Sequence, residues 1–236
     1  MAMMESPTEA WLEIPELAGR KVVLHGFGTR RLSPSWIPDN KIRLLTVKQV
    51  HKSRTLILDA PQESLSKYSR FRFDSMITNQ PGIALGIRTA DCLPILIFDP
   101  EKKVIGALHA GWRGTGEGIA QKVAGRMGKF FGSRPMKLKI AIGPGIGHCC
   151  YEVGEDVVST FRSRFSWWTE VFSFKGSDRP KLNLARANTY QFLEAGLKEK
   201  NIYQLDLCTC CREDLFFSYR RNKIEKREQL SFIALR

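Results

Sequence analysis

Histidine is scarce in this chain: four occur in 236 residues, and no two stand at His-x-His spacing. A four-copper oxidase cluster, bound largely by imidazoles and commonly by His-x-His pairs, is therefore excluded. No run of about 18 apolar residues exists, which argues against a membrane span. The six cysteines form a poor disulfide framework, because Cys149 and Cys150 are adjacent and Cys208, Cys210 and Cys211 are crowded. They read as reduced thiols rather than as a zinc ribbon. The first 20 residues have no central apolar block and carry Glu5, Glu9, Glu13 and Glu16, unlike a signal or transit peptide. A cytoplasmic location is expected, with residues 1–20 reading as an N-terminal extension.

What the chain does have is positive charge, a net +13 from 37 basic and 24 acidic side chains. The basic residues are spread out, and only Tyr219-Arg220-Arg221-Asn222-Lys223 with Lys226 and Arg227 forms a local concentration. No zinc-finger or RRM spacing accompanies it, so nucleic acid is not the expected partner. A phosphate-bearing small substrate explains part of the charge equally well. No feature fixes an oligomeric state.

Short apolar runs dominate the first half: Lys21–Leu24, Leu44–Val47, Thr55–Leu58, Ser75–Thr78, Ile83–Ile87, Leu93–Phe98 and Val104–Leu108. Each is bounded by Gly, Pro, Asp or charged residues and reads as a strand. Helices fall mostly later. Gly116–Phe130 puts Ile119, Val123 and Met127 on one stripe, Glu155–Phe165 aligns Val157, Val158, Phe161 and Phe165, and Asn188–Lys200 repeats the pattern. A last strand pair is expected at Ile202–Leu207 and Leu230–Leu235. The fold class is mixed α/β (α+β), one domain over residues 1–236 with a large mixed sheet and several packed helices.

Three soft ligand side chains stand in separate apolar segments: His51 in Lys48-Gln49-Val50-His51, Cys92 in Ala90-Asp91-Cys92-Leu93-Pro94, and His109 in His109-Ala110-Gly111-Trp112-Arg113-Gly114. The gaps of 41 and 17 positions are unlike a compact zinc finger. Each residue lies at a strand end or in the loop beyond, where distant segments converge. Three protein ligands leave a fourth position for a metal-bound water, whose pKa falls toward about 7. The plainer reading competes: a histidine beside a strand is commonly a core hydrogen-bond partner, and a cysteine is easily a small buried hydrophobe.

These motifs, with Ile142-Gly143-Pro144 through Cys149-Cys150-Tyr151-Glu152-Val153-Gly154 and Phe216-Phe217-Ser218-Tyr219-Arg220-Arg221, resemble the laccase-domain (polyphenol oxidase-like) family of purine nucleoside phosphorylases. The likeness runs from about His25 to Leu235. It implies a zinc held by His51, Cys92 and His109. It further implies phosphorolysis of adenosine, inosine and S-methyl-5'-thioadenosine to the free base and ribose 1-phosphate (or methylthioribose 1-phosphate), with adenosine deaminase activity at the same site. Copper is a possible substitute for zinc at such donors. Phosphorolysis needs cations for phosphate, and Arg30, Lys48, Arg88 and Arg113 are the candidates. Asp91 is a candidate proton shuttle, or equally a residue that fixes its loop. The chain departs from the family at Lys52 (usually Gly), at Gly145 and His148 (frequently Cys and Pro), and at Arg31-Leu32-Ser33 (commonly Gly-Gly).

Alternative readings are a cysteine hydrolase with Cys92 as nucleophile and His109 as base, a single-copper polyphenol oxidase, and a basic nucleic-acid-binding module centred on Tyr219–Arg227.

Overall fold

A computed structural model of the chain describes residues 4–5, 10–18, 22–33, 41–61, 65–174 and 179–236. Lys21, the first residue of the expected Lys21–Leu24 strand, lies outside them. In chain order the first strands are β1 (Met4–Glu5), β2 (Trp11–Glu13), β3 (Val23–Gly28), β4 (Arg43–Leu45), β5 (Thr55–Leu58), β6 (Ser75–Thr78) and β7 (Ile83–Thr89). They continue with β8 (Leu93–Asp99), β9 (Val104–Ala110), β10 (Lys139–Ile142), β11 (Phe172–Ser173), β12 (Lys181–Leu182), β13 (Ile202–Gln204) and β14 (Gln229–Leu235). The helices are α1 (Pro15–Ala18), α2 (Trp112–Gly116), α3 (Ile119–Phe131), α4 (Glu155–Arg162) and α5 (Leu184–Glu194).

The mixed α/β class holds, and the strands divide between two six-stranded sheets. The first runs β1-β2-β3-β14-β7-β4 and the second β13-β10-β8-β9-β6-β5, with β11 and β12 a separate pair. Side chains alternate faces along a strand. On β8, Leu96 and Phe98 join Phe27, Leu85 and Ile233 of the first sheet in one buried cluster. Ile95 and Ile97 point the other way, onto Ile119, Val123 and Met127 of α3 and Phe161 of α4. The second sheet is thus covered on both sides. That is why β8 and β9 are buried at every position and read as unbroken apolar runs rather than alternating ones.

The helix boundaries differ from those the periodicity predicts. The Gly116–Phe130 segment is two helices, because Gly118 adopts a left-handed φ of 78° between α2 and α3. The apolar stripe of α3 is as expected, with Ile119, Ala120, Val123, Ala124 and Met127 buried. The helix expected at Asn188–Lys200 instead begins at Leu184, where the Asn183 side chain accepts a 2.9 Å bond from the Arg186 N–H. It stops before Gly196, whose φ is 89°. Strands β10, β11 and β12 were not among the expected elements. Within the 1–20 segment, β2 adds to the edge of the first sheet by pairing Leu12 with Phe27. No helix among the described residues is long and apolar enough to cross a membrane.

One histidine outside the candidate site makes the fold sensitive to pH. His25 on β3 is 1% exposed, and its Nε2 accepts a 3.1 Å bond from the Ile14 N–H, while its buried Nδ1 has no protein partner. Burial lowers its pKa from 6.5 to about 4. Below pH 6.5 the unfolded chain therefore takes a proton that the folded one refuses, and stability falls with pH until the folded pKa is passed. Between pH 7 and 5 the loss from His25 is about 2 kcal/mol. Denaturant titration of wild type and His25→Gln at the two pH values is expected to show a shallower drop in the variant; equal drops would remove His25 from the account.

Candidate metal centre

Strand pairing places the three ligand candidates. In the β8/β9 hairpin Pro94 faces His109 and Leu93 faces Ala110, so the next positions outward are Cys92 and Gly111. In the β6/β9 pair Ser75 faces Leu108, which brings the residue before β6, Asp74, beside His109. The loop between β4 and β5 supplies His51, in a left-handed conformation with φ 58°. The donor atoms of His51, Cys92 and His109 lie within 4.8 Å of one another. The two imidazole rings meet edge to face at 4.7 Å. His51 is exposed, Cys92 half-buried and His109 buried, so the group opens to solvent on one side.

Asp74 organises this group. Its Oδ1 is 2.9 Å from His109 Nδ1 and accepts the N–H groups of Val50 at 3.0 Å and His51 at 2.8 Å; its Oδ2 accepts that of Lys52 at 2.8 Å. A fully buried carboxylate thus fixes both the imidazole and the loop that carries the other histidine. With Nδ1 held by Asp74, Nε2 of His109 is the nitrogen left for a metal. Burial pushes the Asp74 carboxyl up, but the His109 and backbone hydrogen bonds outweigh it and leave the group below its usual range.

Cys92 and His109 each shift the other's ionisation. Burial alone would raise the Cys92 thiol, yet His109 and His51 beside it bring its pKa down to about 6. Burial would lower His109, yet Cys92 and Asp74 raise it to about 10.

The glycines of the His-Ala-Gly-Trp-Arg-Gly segment are needed for close approach. A Cβ at Gly111 would stand 2.7 Å from Cys92 Sγ and 3.4 Å from His51 Cδ2, and one at Gly114 would stand 2.8 Å from the Lys52 carbonyl oxygen. Gly111 also precedes α2, so the start of that helix and the close contact coincide.

Asp91, at φ 93°, has both carboxylate oxygens engaged. Its Oδ1 accepts the Thr209 hydroxyl at 2.7 Å and its Oδ2 the Arg220 N–H at 2.6 Å. The cation candidates separate. Arg30 and Arg88 line one pocket together with Lys226 and Arg227. Lys48 and Arg113 are not among its lining residues, and Arg113 instead stacks its guanidinium over Trp112 at 4.4 Å. The Gln49 side chain ties the Arg88 end of β7 to the His51 loop through bonds of 2.7 and 2.9 Å to the Arg88 backbone. In the basic stretch near the C-terminus, the Arg220 and Arg221 guanidiniums donate to carbonyls of Cys150, Glu152, Thr209, Cys210 and Phe216. They hold loops in place. The residue that sequence reasoning missed is Asp74; its one signal is an acidic residue directly before an apolar run, Phe73-Asp74-Ser75-Met76.

Residues 30–236 match the family described as multi-copper polyphenol oxidoreductase laccase. The chain belongs to that family. Among its relatives, the chain is 37% identical over 172 residues to purine nucleoside phosphorylase YlmD of Geobacillus stearothermophilus, covering 69% of this chain and 60% of that protein. It is 31% identical over 183 residues to adenosine deaminase RL5 of an unknown prokaryotic organism, covering 75% of this chain and 70% of the relative. The chain thus spans about three fifths of the length of the Geobacillus protein. The crystal structure of hypothetical protein YfiH from Bacillus licheniformis superposes with a TM-score of 0.87 at 25% identity, covering 99% of each chain. Despite the family's copper-oxidase description, the described residues hold one cluster of mixed histidine and cysteine donors.

Proposed function

We propose that this protein is a zinc-dependent purine nucleoside phosphorylase, acting on adenosine, inosine and S-methyl-5'-thioadenosine, with adenosine deaminase activity at the same site. The observation that carries the reading is the convergence of His51, Cys92 and His109 with His109 oriented by Asp74. Two imidazoles and one thiolate would suit zinc, and the exposed His51 side is where substrate would reach it. Copper binds the same donors. Bound there, the metal would act as a Lewis acid toward the substrate.

The chain's own groups do the rest. Asp74 keeps the His109 proton on Nδ1 and holds residues 50–52 in register with the site. Asp91 acts as a positioning residue, anchoring the turn before Cys92 to Thr209 and Arg220. Arg30 and Arg88 supply the phosphate pocket, where a guanidinium pair binds an oxyanion in bidentate fashion. Phosphate held there attacks the anomeric carbon as the purine leaves.

The test is product identification after incubation of purified protein with adenosine, with and without phosphate. Adenine and ribose 1-phosphate are expected with phosphate, and inosine without it. Neither product from zinc-loaded protein would sink the reading. Arg88→Ala is expected to raise the KM for phosphate by about tenfold or more, the loss of one charge-assisted contact, with a smaller change in the deamination rate.

A second reading has its own support. Cys92, His109 and Asp74 also form the nucleophile, base and orienting carboxylate of a cysteine hydrolase, with the thiol already depressed to about 6. His51, a third donor turned on the same sulfur, favours metal. Active metal-free protein trapped covalently at Cys92 would decide for the hydrolase.

A further inference from the structure

A second group of donors lies outside this site. The sulfurs of Cys149, Cys150, Cys208 and Cys211 all lie within 4.8 Å of one another. Cys150 and Cys211 are 3.4 Å apart and Cys149 and Cys211 3.6 Å. Four thiolates around a tetrahedral zinc, each at about 2.3 Å, stand about 3.8 Å from one another. Disulfide bonds would instead draw two pairs to about 2.05 Å and separate the pairs, and here Cys211 is close to both cysteines of the opposite loop. We propose that these four cysteines form a structural zinc site that clamps the loop after β10 to the loop after β13.

The surroundings suit such a cluster. Strands β10 and β13 pair in parallel, Ile140 facing Ile202, and an isolated bridge between Gly145 and Cys208 carries the alignment beyond the strand ends. The loop backbone is shaped toward sulfur: the Gly147 N–H donates to Cys208 Sγ at 3.2 Å, and the Cys211 N–H donates to the same sulfur. Such bonds favour a thiolate. Zinc with four thiolates carries a net charge of −2. Around it, Lys181 donates to the Cys149 carbonyl at 3.1 Å, Arg220 to that of Cys150 at 3.1 Å and Arg221 to that of Cys210 at 3.0 Å. Three cations are therefore anchored on the cysteine-bearing segments themselves.

Binding balances by proton exchange: four S–H bonds break, four Zn–S bonds form, four protons pass to solvent, and no atom changes oxidation state. Cys208-Thr209-Cys210-Cys211 is in fact a C-x-x-C pair, which corrects the expectation that the chain lacks zinc-ribbon spacing. Its partner pair is the adjacent Cys149-Cys150. Adjacent ligands are unusual, and Cys210 lies within the turn as a fifth thiol outside the set.

The site is independent of the His51, Cys92 and His109 group, so the two are tested apart. Elemental analysis of protein purified without chelator is expected to find about one zinc per chain retained in Cys92→Ser and lost when Cys149→Ser/Cys208→Ser is added to that variant, with added Cys210→Ser leaving it in place. Cobalt(II) added to metal-free, reduced Cys92→Ser protein is expected to give thiolate-to-cobalt charge-transfer absorption about four times that of a one-thiolate site. Should the double cysteine variant not fold, the cobalt spectrum and the metal content of Cys92→Ser still decide. Cys92→Ser protein that purifies without zinc and gives no thiolate-to-cobalt absorption would overturn the proposal, as would two disulfides found by mass.

Discussion

Asp74→Ala is expected to retain metal about 10–100-fold more weakly than wild type, with turnover of adenosine falling in proportion. The reason is that one carboxylate carries four contacts: the His109 ring and the N–H groups of Val50, His51 and Lys52. Alanine frees the ring to rotate and releases the loop that brings His51 to the other two donors. Stability falls as well, because three backbone donors in a partly buried loop lose their acceptor; the total is of order 3–5 kcal/mol. Asp74→Asn separates the two effects. The amide oxygen still accepts the Val50 and His51 N–H groups while that of Lys52 loses its acceptor, so most of the stability returns, but the amide brings no charge to His109. Metal content by elemental analysis and melting temperature, measured together on both variants, check this. Equal metal affinity in wild type and Asp74→Ala would show that Asp74 serves the loop and not the ligands.

Gly111→Ala is expected to abolish metal retention at the His51, Cys92 and His109 site while leaving the melting temperature within a few degrees of wild type. The backbone there, φ −82° and ψ 171°, is open to any residue, so alanine introduces no conformational strain. What it introduces is a methyl 2.7 Å from Cys92 Sγ and 3.4 Å from His51 Cδ2. Carbon and sulfur prefer about 3.5–4 Å, so the sulfur must move by roughly 1 Å. Misplacement of a ligand by that amount is comparable with the tolerance of a functional site. Cobalt titration checks the metal and circular dichroism the fold. Full cobalt binding in Gly111→Ala would show that the Cys92 side chain has room to rotate away.

The parts of the site that sequence made legible are those with local signatures. His51, Cys92 and His109 each sit in a short distinctive segment, and the strands around them are unbroken apolar runs. Asp74 was not legible, because its role follows from register: only when Ser75 faces Leu108 does the preceding carboxylate meet His109. Strand β10 was hidden for a related reason. Its four residues, Lys139–Ile142, are too short to stand out and merge into the Gly143-Pro144 turn. The start of α5 at Leu184 depends on the Asn183 side chain rather than on any apolar spacing. The cysteine group joins residues 58 or more positions apart, and only the parallel β10/β13 pairing makes them neighbours. Arg30 and Arg88 share a pocket while Arg113 does not, a distinction of three-dimensional placement that proximity to a motif does not predict.

The position of β14 has a consequence for how this chain comes to be folded. It is made after every other described strand, yet it lies inside the first sheet, hydrogen-bonded to β3 on one side and β7 on the other. Until it arrives, those two strands present unpaired apolar edges to each other and to neighbouring nascent chains. The turn before Cys92 waits as well, since Thr209 and Arg220, which hold Asp91, come from the same final stretch. Synthesis therefore passes through an interval in which β3 and β7 are made but unpaired and prone to aggregate, and deletion of β14 would leave them there permanently.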